Sequence, residues 1–122
     1  MHNTVEYYDI EMSKWVLKES MNTARTMFSA TNIEDFLYVF GGFMNASYAF
    51  AENLFERYSI SNDNWEILEI EQKFSFIGGS VINRTKENQI LILGGVNPSS
   101  LEQENKRHSL HLYTPETGDL EE

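Results

Sequence analysis

Short runs of apolar residues, separated by polar turns, recur along the whole chain. Most runs are about four to eight residues long and rich in aromatic and branched side chains, which is typical of β-strands. Two runs, residues 36–40 and 90–93, are apolar at every position rather than at every second one. A short strand of this kind is buried on both faces. The pattern therefore predicts an all-β fold with sheets packed between other sheets.

The same landmarks occur twice in the same order, about 50 residues apart. Each copy contains a tyrosine, a tryptophan seven positions later, and then an apolar run that ends in two glycines. These landmarks are Tyr8, Trp15, Gly41 and Gly42 in the first copy, and Tyr58, Trp65, Gly94 and Gly95 in the second. A third tyrosine, Tyr113, lies 55 positions after Tyr58, with Leu120 in place of a following tryptophan. This regularity indicates a repeat architecture.

The order and spacing of these landmarks resemble the Kelch repeat, and the resemblance covers nearly the whole chain. The family pattern has an acidic residue directly after the tyrosine. Asp9 matches this pattern after Tyr8, but Ser59 and Thr114 replace the acidic residue after Tyr58 and Tyr113. Membership of the Kelch family implies that each repeat forms one four-stranded antiparallel blade of a β-propeller. The glycine pairs then end strands where the backbone turns with little room for side chains.

The resemblance divides the chain into about two and a half four-stranded blades of a partial Kelch-type β-propeller. Residues 1–20 are assigned to the outer half of a blade, 21–72 to a complete blade, and 73–122 to a blade that lacks its outer strand. The nine predicted strands are 4–10, 14–18, 27–33, 36–41, 54–60, 65–70, 76–83, 89–94 and 109–115. Propellers need about four to eight blades, so we expect the rest of the propeller to come from the same or another chain.

The two tryptophans are expected to be interior residues of this arrangement. We expect Trp15 and Trp65 to pack between adjacent blades, with Tyr8 and Tyr58 buried beside them. The alternative is an exposed aromatic cluster that binds a partner directly.

Composition narrows the function classes. The chain has 122 residues, and its apolar fraction of 41% excludes a charge-driven disordered chain. It has no cysteine, which excludes a disulfide scaffold, a Cys zinc site and a Cys nucleophile. Acidic residues outnumber basic ones by 19 to 9, and a net charge of −10 repels phosphate backbones and anionic lipids. We expect no nucleic-acid or membrane partner and a cytoplasmic or cytoskeleton-associated location.

Few residues are candidates for chemistry. His108 and His111 are three positions apart, and on a strand this separation places the side chains on opposite faces, away from a shared metal. Ser80, in Gly-Gly-Ser, lacks the spacing of a nucleophile elbow. The carboxylates around Trp65 are interpreted as a solvated strand face. We therefore predict no catalytic residue, no metal site and no cofactor.

Three functions remain open. The first is a non-catalytic protein–protein interaction module in a larger Kelch propeller that serves as an adaptor or scaffold. The second is an architectural segment of a large, for instance cytoskeletal, assembly. The third is a fragment of a sugar-acting Kelch-type enzyme; the Cys–Tyr cross-link of galactose oxidase relatives has no cysteine here to form it. We favour the first and expect a protein partner.

The candidate partner-binding residues come from two sets of loops that form one ring face in Kelch proteins that bind partners. The loops after the glycine pairs, 43–53 and 96–108, are long by hairpin standards. Arg25, in a loop that enters an inner strand, stands where binding Kelch domains often place an arginine. The candidates are Arg25, Phe43, Met44, Asn45, Tyr48, Asn97 and Ser99. We expect Arg25, Asn45, Tyr48 and Asn97 to share one face, exposed to solvent or to a partner.

Overall fold

The computed structural model describes residues 2–44, 55–71, 77–95 and 110–122. Ten strands are present in these ranges, together with a short 3₁₀ helix at Thr85–Glu87. The strands are β1 Val5–Asp9, β2 Lys14–Lys18, β3 Ser29–Ile33, β4 Phe36–Phe40, β5 Phe55–Ser59, β6 Asn64–Leu68, β7 Ser80–Arg84, β8 Gln89–Leu93, β9 Leu110–Thr114 and β10 Asp119–Glu121.

The strands form three antiparallel sheets that we call blades. Blade 1 is β1–β2, blade 2 is β3–β4–β5–β6, and blade 3 is β7–β8–β9–β10, each in sequence order. The inner strands of blades 2 and 3, β3 and β7, lie side by side. Near one end of them, Ser29 Oγ donates a hydrogen bond to the carbonyl oxygen of Gly79 at 2.6 Å. Farther along, Asn83 Nδ2 donates to the carbonyl oxygen of Asn32 at 2.7 Å. The predicted all-β fold of two and a half antiparallel blades is confirmed.

Blade 3 has an outer strand that the sequence analysis missed. β10 pairs with β9 and places Leu120 opposite Tyr113. The same register joins each earlier tyrosine to the tryptophan seven positions later, so Leu120, which is buried, occupies the tryptophan position. The prediction of nine strands and of a last blade without its outer strand is therefore wrong. A three-residue strand with leucine in place of tryptophan carries too weak a pattern to be recognised.

The main core lies between blades 2 and 3. Phe40 and Phe55 of blade 2 pack edge to face at 4.5 Å between ring centroids, and Tyr113 of blade 3 lies 5.8 Å from Phe40. Ile90 and Ile92 of β8 are fully buried in the same cluster. Full burial of one such side chain contributes roughly 1.5–3 kcal/mol, so these residues stabilise the packing of blade 2 against blade 3.

The two continuously apolar runs differ in their burial. In β4, the consecutive residues Tyr38, Val39 and Phe40 are all buried, as expected for a sheet that is covered on both faces. In β8, only the alternate residues Ile90 and Ile92 are buried. Their neighbours Leu91 and Leu93, on the other face of blade 3, are half-buried.

The expectation for the tryptophans holds in one repeat. Tyr58 is buried and Trp65 is half-buried, and Trp65 Nε1 donates to the carbonyl oxygen of Glu19 at 2.8 Å, in the segment that links blades 1 and 2. Trp15, however, is 66% exposed and Tyr8 is 46% exposed. The prediction of burial is wrong for these two residues, because β1 and β2 contact mainly each other among the described strands.

Candidate functional site

Arg25 lies in the segment that enters β3, and its side chain is buried inside blade 2. Its Nη2 forms an ion pair with the Glu56 carboxylate on β5, and neither side chain is exposed. Its Nη1 donates to the carbonyl oxygen of Gly41 at 3.0 Å. The other carboxylate oxygen of Glu56 accepts a hydrogen bond from the backbone N–H of Asn22 at 2.8 Å. The pair thus ties the entry segment to the end of β4 and to β5.

The expected exposure of Arg25 is contradicted. Only 3% of the residue is accessible, and burial lowers the pKa of the guanidinium against the opposing effect of Glu56. A guanidinium stays charged in proteins, and a buried charge requires a partner of opposite sign. Arg25 therefore meets its partner within the blade, and it is a structural residue of blade 2.

The loop that begins at Phe43 is anchored beside the Arg25 segment. Phe43 and Thr26 exchange two backbone hydrogen bonds, of 2.9 and 3.1 Å. Gly42 makes this approach possible, because a Cβ there would lie 2.5 Å from the Thr26 carbonyl oxygen and its φ is +95°. The structure therefore brings the end of the loop that enters β3 beside the start of the loop that follows Gly42.

The remaining candidate residues divide into two groups. Phe43 and Met44 are half-buried at the end of blade 2 where β4 finishes. The other candidates lie outside the described residues; they are Asn45, Tyr48, Asn97 and Ser99. The first three were predicted to share a face with Arg25. Their common face remains a prediction.

Carboxylates at the opposite end of blade 2 hold its turns in place. The Asp35 carboxylate accepts hydrogen bonds from Ser61 Oγ at 2.6 Å and Ser59 Oγ at 3.1 Å, and the Ser61 contact lowers its pKa most. The Asp63 carboxylate accepts from the backbone N–H of Glu19 at 3.0 Å, which lowers its pKa most, and also from the Tyr58 hydroxyl. These hydrogen bonds assign both groups a role in fixing turns.

Histidine, aspartate and glutamate side chains are the ones that could bind a metal ion in this chain. In the part of the chain that the structure describes, no group of three or more His, Asp or Glu side chains could hold a metal ion. His111 on β9 is half-buried, and burial lowers its pKa, whereas His108 lies outside the described ranges. Within those same ranges, no helix is long and apolar enough to cross a membrane.

Exposed aromatic side chains, the alternative left open for the tryptophans, occur on one surface, the open face of blade 1. We use this name for Glu6, Tyr8, Trp15 and Leu17, which share a face because Glu6 pairs with Leu17 and Tyr8 with Trp15. The Tyr8 and Trp15 rings lie 5.3 Å apart and both are exposed.

Antiparallel blades with repeated Tyr–Trp pairs and glycine-ended strands define a propeller-type repeat. The family model described as the Kelch motif matches residues 24–69, which span blade 2 from its entry segment to the end of β6. The chain therefore contains a Kelch motif, and its resemblance to the Kelch-repeat family is confirmed over this blade. The comparison with curated proteins found no match.

Proposed function

We propose that this chain is a non-catalytic protein–protein interaction module, part of a larger Kelch propeller that serves as an adaptor or scaffold. The observation that carries the proposal is the Kelch motif at residues 24–69, because Kelch repeats generally mediate contacts between proteins. The family is also generally non-catalytic.

The way blade 2 is built supports this proposal. The Arg25–Glu56 pair and the Thr26–Phe43 hydrogen bonds fix the base of the loop that begins at Phe43. Binding loops act best when a rigid scaffold positions them. The loop base also offers two apolar side chains, Phe43 and Met44, of the kind enriched at protein interfaces.

Charge indicates the kind of partner. The chain carries a net charge of −10, and the arginine predicted to contact a partner is already paired with Glu56. An acidic peptide would therefore be repelled, and Arg25 is not open to receive it because it is paired with Glu56. A partner surface with basic residues is favoured, since complementary charge speeds association and suppresses wrong partners.

Site-specific photo-crosslinking of the full chain in cells of its source tests the proposal. A crosslinker replaces Met44 at the loop end of blade 2, and a matched variant replaces Lys86 in the 3₁₀ helix at the opposite end of blade 3. We expect a discrete protein adduct at position 44 and little at position 86. Equal adducts at both ends would favour the architectural alternative, and no adduct at position 44 would contradict the proposal.

A further inference from the structure

A cavity of about 300 Å³ lies between blade 3 and the segment that leads to it from blade 2. That segment follows β6 and contributes Glu69, Ile70 and Glu71 to the wall. The opposite wall is the turn between β9 and β10 together with the start of β10. Neither Phe43 nor Met44 is among the described residues that line the cavity, so it is separate from the loop end of blade 2.

Blade 2 shows how the corresponding segment is held in a repeat that keeps its tryptophan. The segment that arrives from blade 1 is bound at Glu19 by two side chains of blade 2. The Asp63 carboxylate accepts a hydrogen bond from the Glu19 N–H at 3.0 Å. Trp65 Nε1 donates to the Glu19 carbonyl oxygen at 2.8 Å. Both backbone groups of this residue are therefore bound by the blade that the segment enters.

Blade 3 has neither of these side chains, although both positions are present. The register of β9 and β10 places Leu120 where blade 2 has Trp65. Two positions earlier, Gly118 stands where blade 2 has Asp63. Leucine has no hydrogen-bond donor and glycine has no side chain, so neither residue can hold the arriving segment as blade 2 does. The cavity therefore lies at two replaced positions within a complete blade.

The walls of this cavity define what it can bind. Glu69 directly follows β6, as Glu19 directly follows β2, and a Cβ at Gly118 would lie 3.9 Å from the Glu69 carbonyl oxygen. Ile70 and Leu120 are buried and form apolar parts of the wall. Three exposed acidic residues also line the cavity; they are Glu69, Glu71 and Asp119. A ligand that matches these walls needs a flat N–H donor, an apolar stem and a positive charge.

We propose that this cavity binds an arginine side chain of a basic protein partner. The guanidinium donates to the Glu69 carbonyl oxygen, as the Trp65 indole donates to that of Glu19 in blade 2, and it pairs with the carboxylates of the cavity. The methylene stem packs on Ile70 and Leu120. Arginine combines a planar set of N–H donors with a permanent positive charge, and the net charge of −10 attracts a basic partner. This inference rests on the proposed function, because it identifies a second contact through which the chain binds a protein.

A short peptide tests the proposal on the full chain. The probe is acetyl-Ala-Arg-Ala-amide, which is titrated into the isotope-labelled chain and followed through the backbone amide signals in NMR spectra. Saturable shifts are expected at Glu69, Gly118 and Asp119, with little change at Phe43. A peptide with citrulline in place of arginine keeps the shape but not the charge. It should bind about tenfold more weakly, as for the loss of a hydrogen bond to a charged group.

Variants of the chain separate a local contact from the net charge. Asp119→Asn removes one carboxylate from the cavity, whereas Glu116→Gln removes one from an exposed residue of the same turn that does not line it. Only Asp119→Asn should weaken binding, by about tenfold. Gly118→Asp combined with Leu120→Trp restores the two side chains found in blade 2 and should abolish peptide binding. The backbone at Gly118 accepts aspartate, since Asp63 itself has a φ of +51°.

Several results would overturn the proposal. These are the absence of saturable shifts beside the cavity, equal binding of the arginine and citrulline peptides, or equal effects of Asp119→Asn and Glu116→Gln. Tighter binding of a peptide with tryptophan in place of arginine would identify an indole, not a cation, as the occupant. Retained binding in the double variant, once its spectrum shows a folded chain, would place the peptide elsewhere. None of these results affects crosslinking at position 44, so failure here is distinguishable from failure of the proposed function.

Discussion

The buried Arg25–Glu56 pair gives the sharpest test of how blade 2 is held together. Glu56→Gln keeps the size of the side chain and an acceptor for the Asn22 N–H, but removes the charge that neutralises Arg25. Neither side chain of the pair has any exposed surface, so water cannot replace the lost carboxylate. Breaking such a pair costs about 3–5 kcal/mol, a large share of the roughly 5–15 kcal/mol that stabilises a typical domain.

The measurement is urea unfolding followed by tryptophan fluorescence, at one fixed protein concentration because association adds to apparent stability. The chain supplies its own control in the Arg57–Glu66 pair, whose side chains are 26% and 59% exposed. Glu66→Gln also removes one carboxylate charge from an arginine. In this solvated setting the expected loss in the free energy of unfolding is at most about 1 kcal/mol.

A double variant separates the charge from the packing. Arg25→Met with Glu56→Leu removes both charges, so it should cost less than the sum of the two single changes, since neither leaves an uncompensated buried charge. The argument fails if Glu56→Gln lowers the unfolding midpoint no more than Glu66→Gln does. In that case the pair would not hold the entry segment of blade 2, and Arg25 would again be a candidate for partner binding.

Three further predictions concern the repeat landmarks. Gly42→Ala should lower the free energy of unfolding in urea by more than about 1 kcal/mol, because its Cβ would lie 2.5 Å from the Thr26 carbonyl oxygen. The control is Gly94→Ala, where a Cβ has open space, and a smaller loss in Gly42→Ala than in this control would contradict the prediction. Trp65→Ala should lower the free energy of unfolding by about 3 kcal/mol, whereas Trp15→Ala, at an exposed side chain, should lower it by less than about 1 kcal/mol. Equal losses in the same assay would refute the assigned burial. Burial raises the pKa of Tyr58 to about 12 from an ordinary value of 10.0, so its contribution to stability is present below about pH 10 and is lost as the pH rises toward 12. Melting temperatures from pH 9 to 11 should therefore fall less steeply in Tyr58→Phe than in the parent chain, and parallel slopes would count against a raised pKa.

The repeat unit could be predicted from sequence because its signals are local. Nine of the ten strands overlap their predicted ranges closely, since each is a short apolar run between polar turns. The residue five positions after each landmark tyrosine has a positive φ, at Ser13, Asp63 and Gly118. Only the third of these is a glycine, and it marks the turn before the missed strand β10. Searching for the turn as well as the tryptophan would have found that strand.

The role of Arg25 could not be predicted from its own surroundings in the sequence. Its partner Glu56 lies 31 positions away, and the two meet only because β4 brings the entry segment beside β5. The usable signal was in β5, where a carboxylate falls two positions before Tyr58 within a strand whose other residues are largely buried. A buried carboxylate requires a cation or several donors, and Arg25 is a basic residue in the loop predicted at that end of the blade.

Comparison of the two Tyr–Trp pairs shows that burial in this fold is set by the neighbouring unit rather than by the repeat itself. Tyr8 with Trp15 and Tyr58 with Trp65 share residue type, register and ring spacing, yet only the second pair is covered. In repeat proteins each unit is stabilised mainly through its contacts with adjacent units. An exposed pair that already has the geometry of a buried one therefore lacks only the contacts that an adjacent unit supplies.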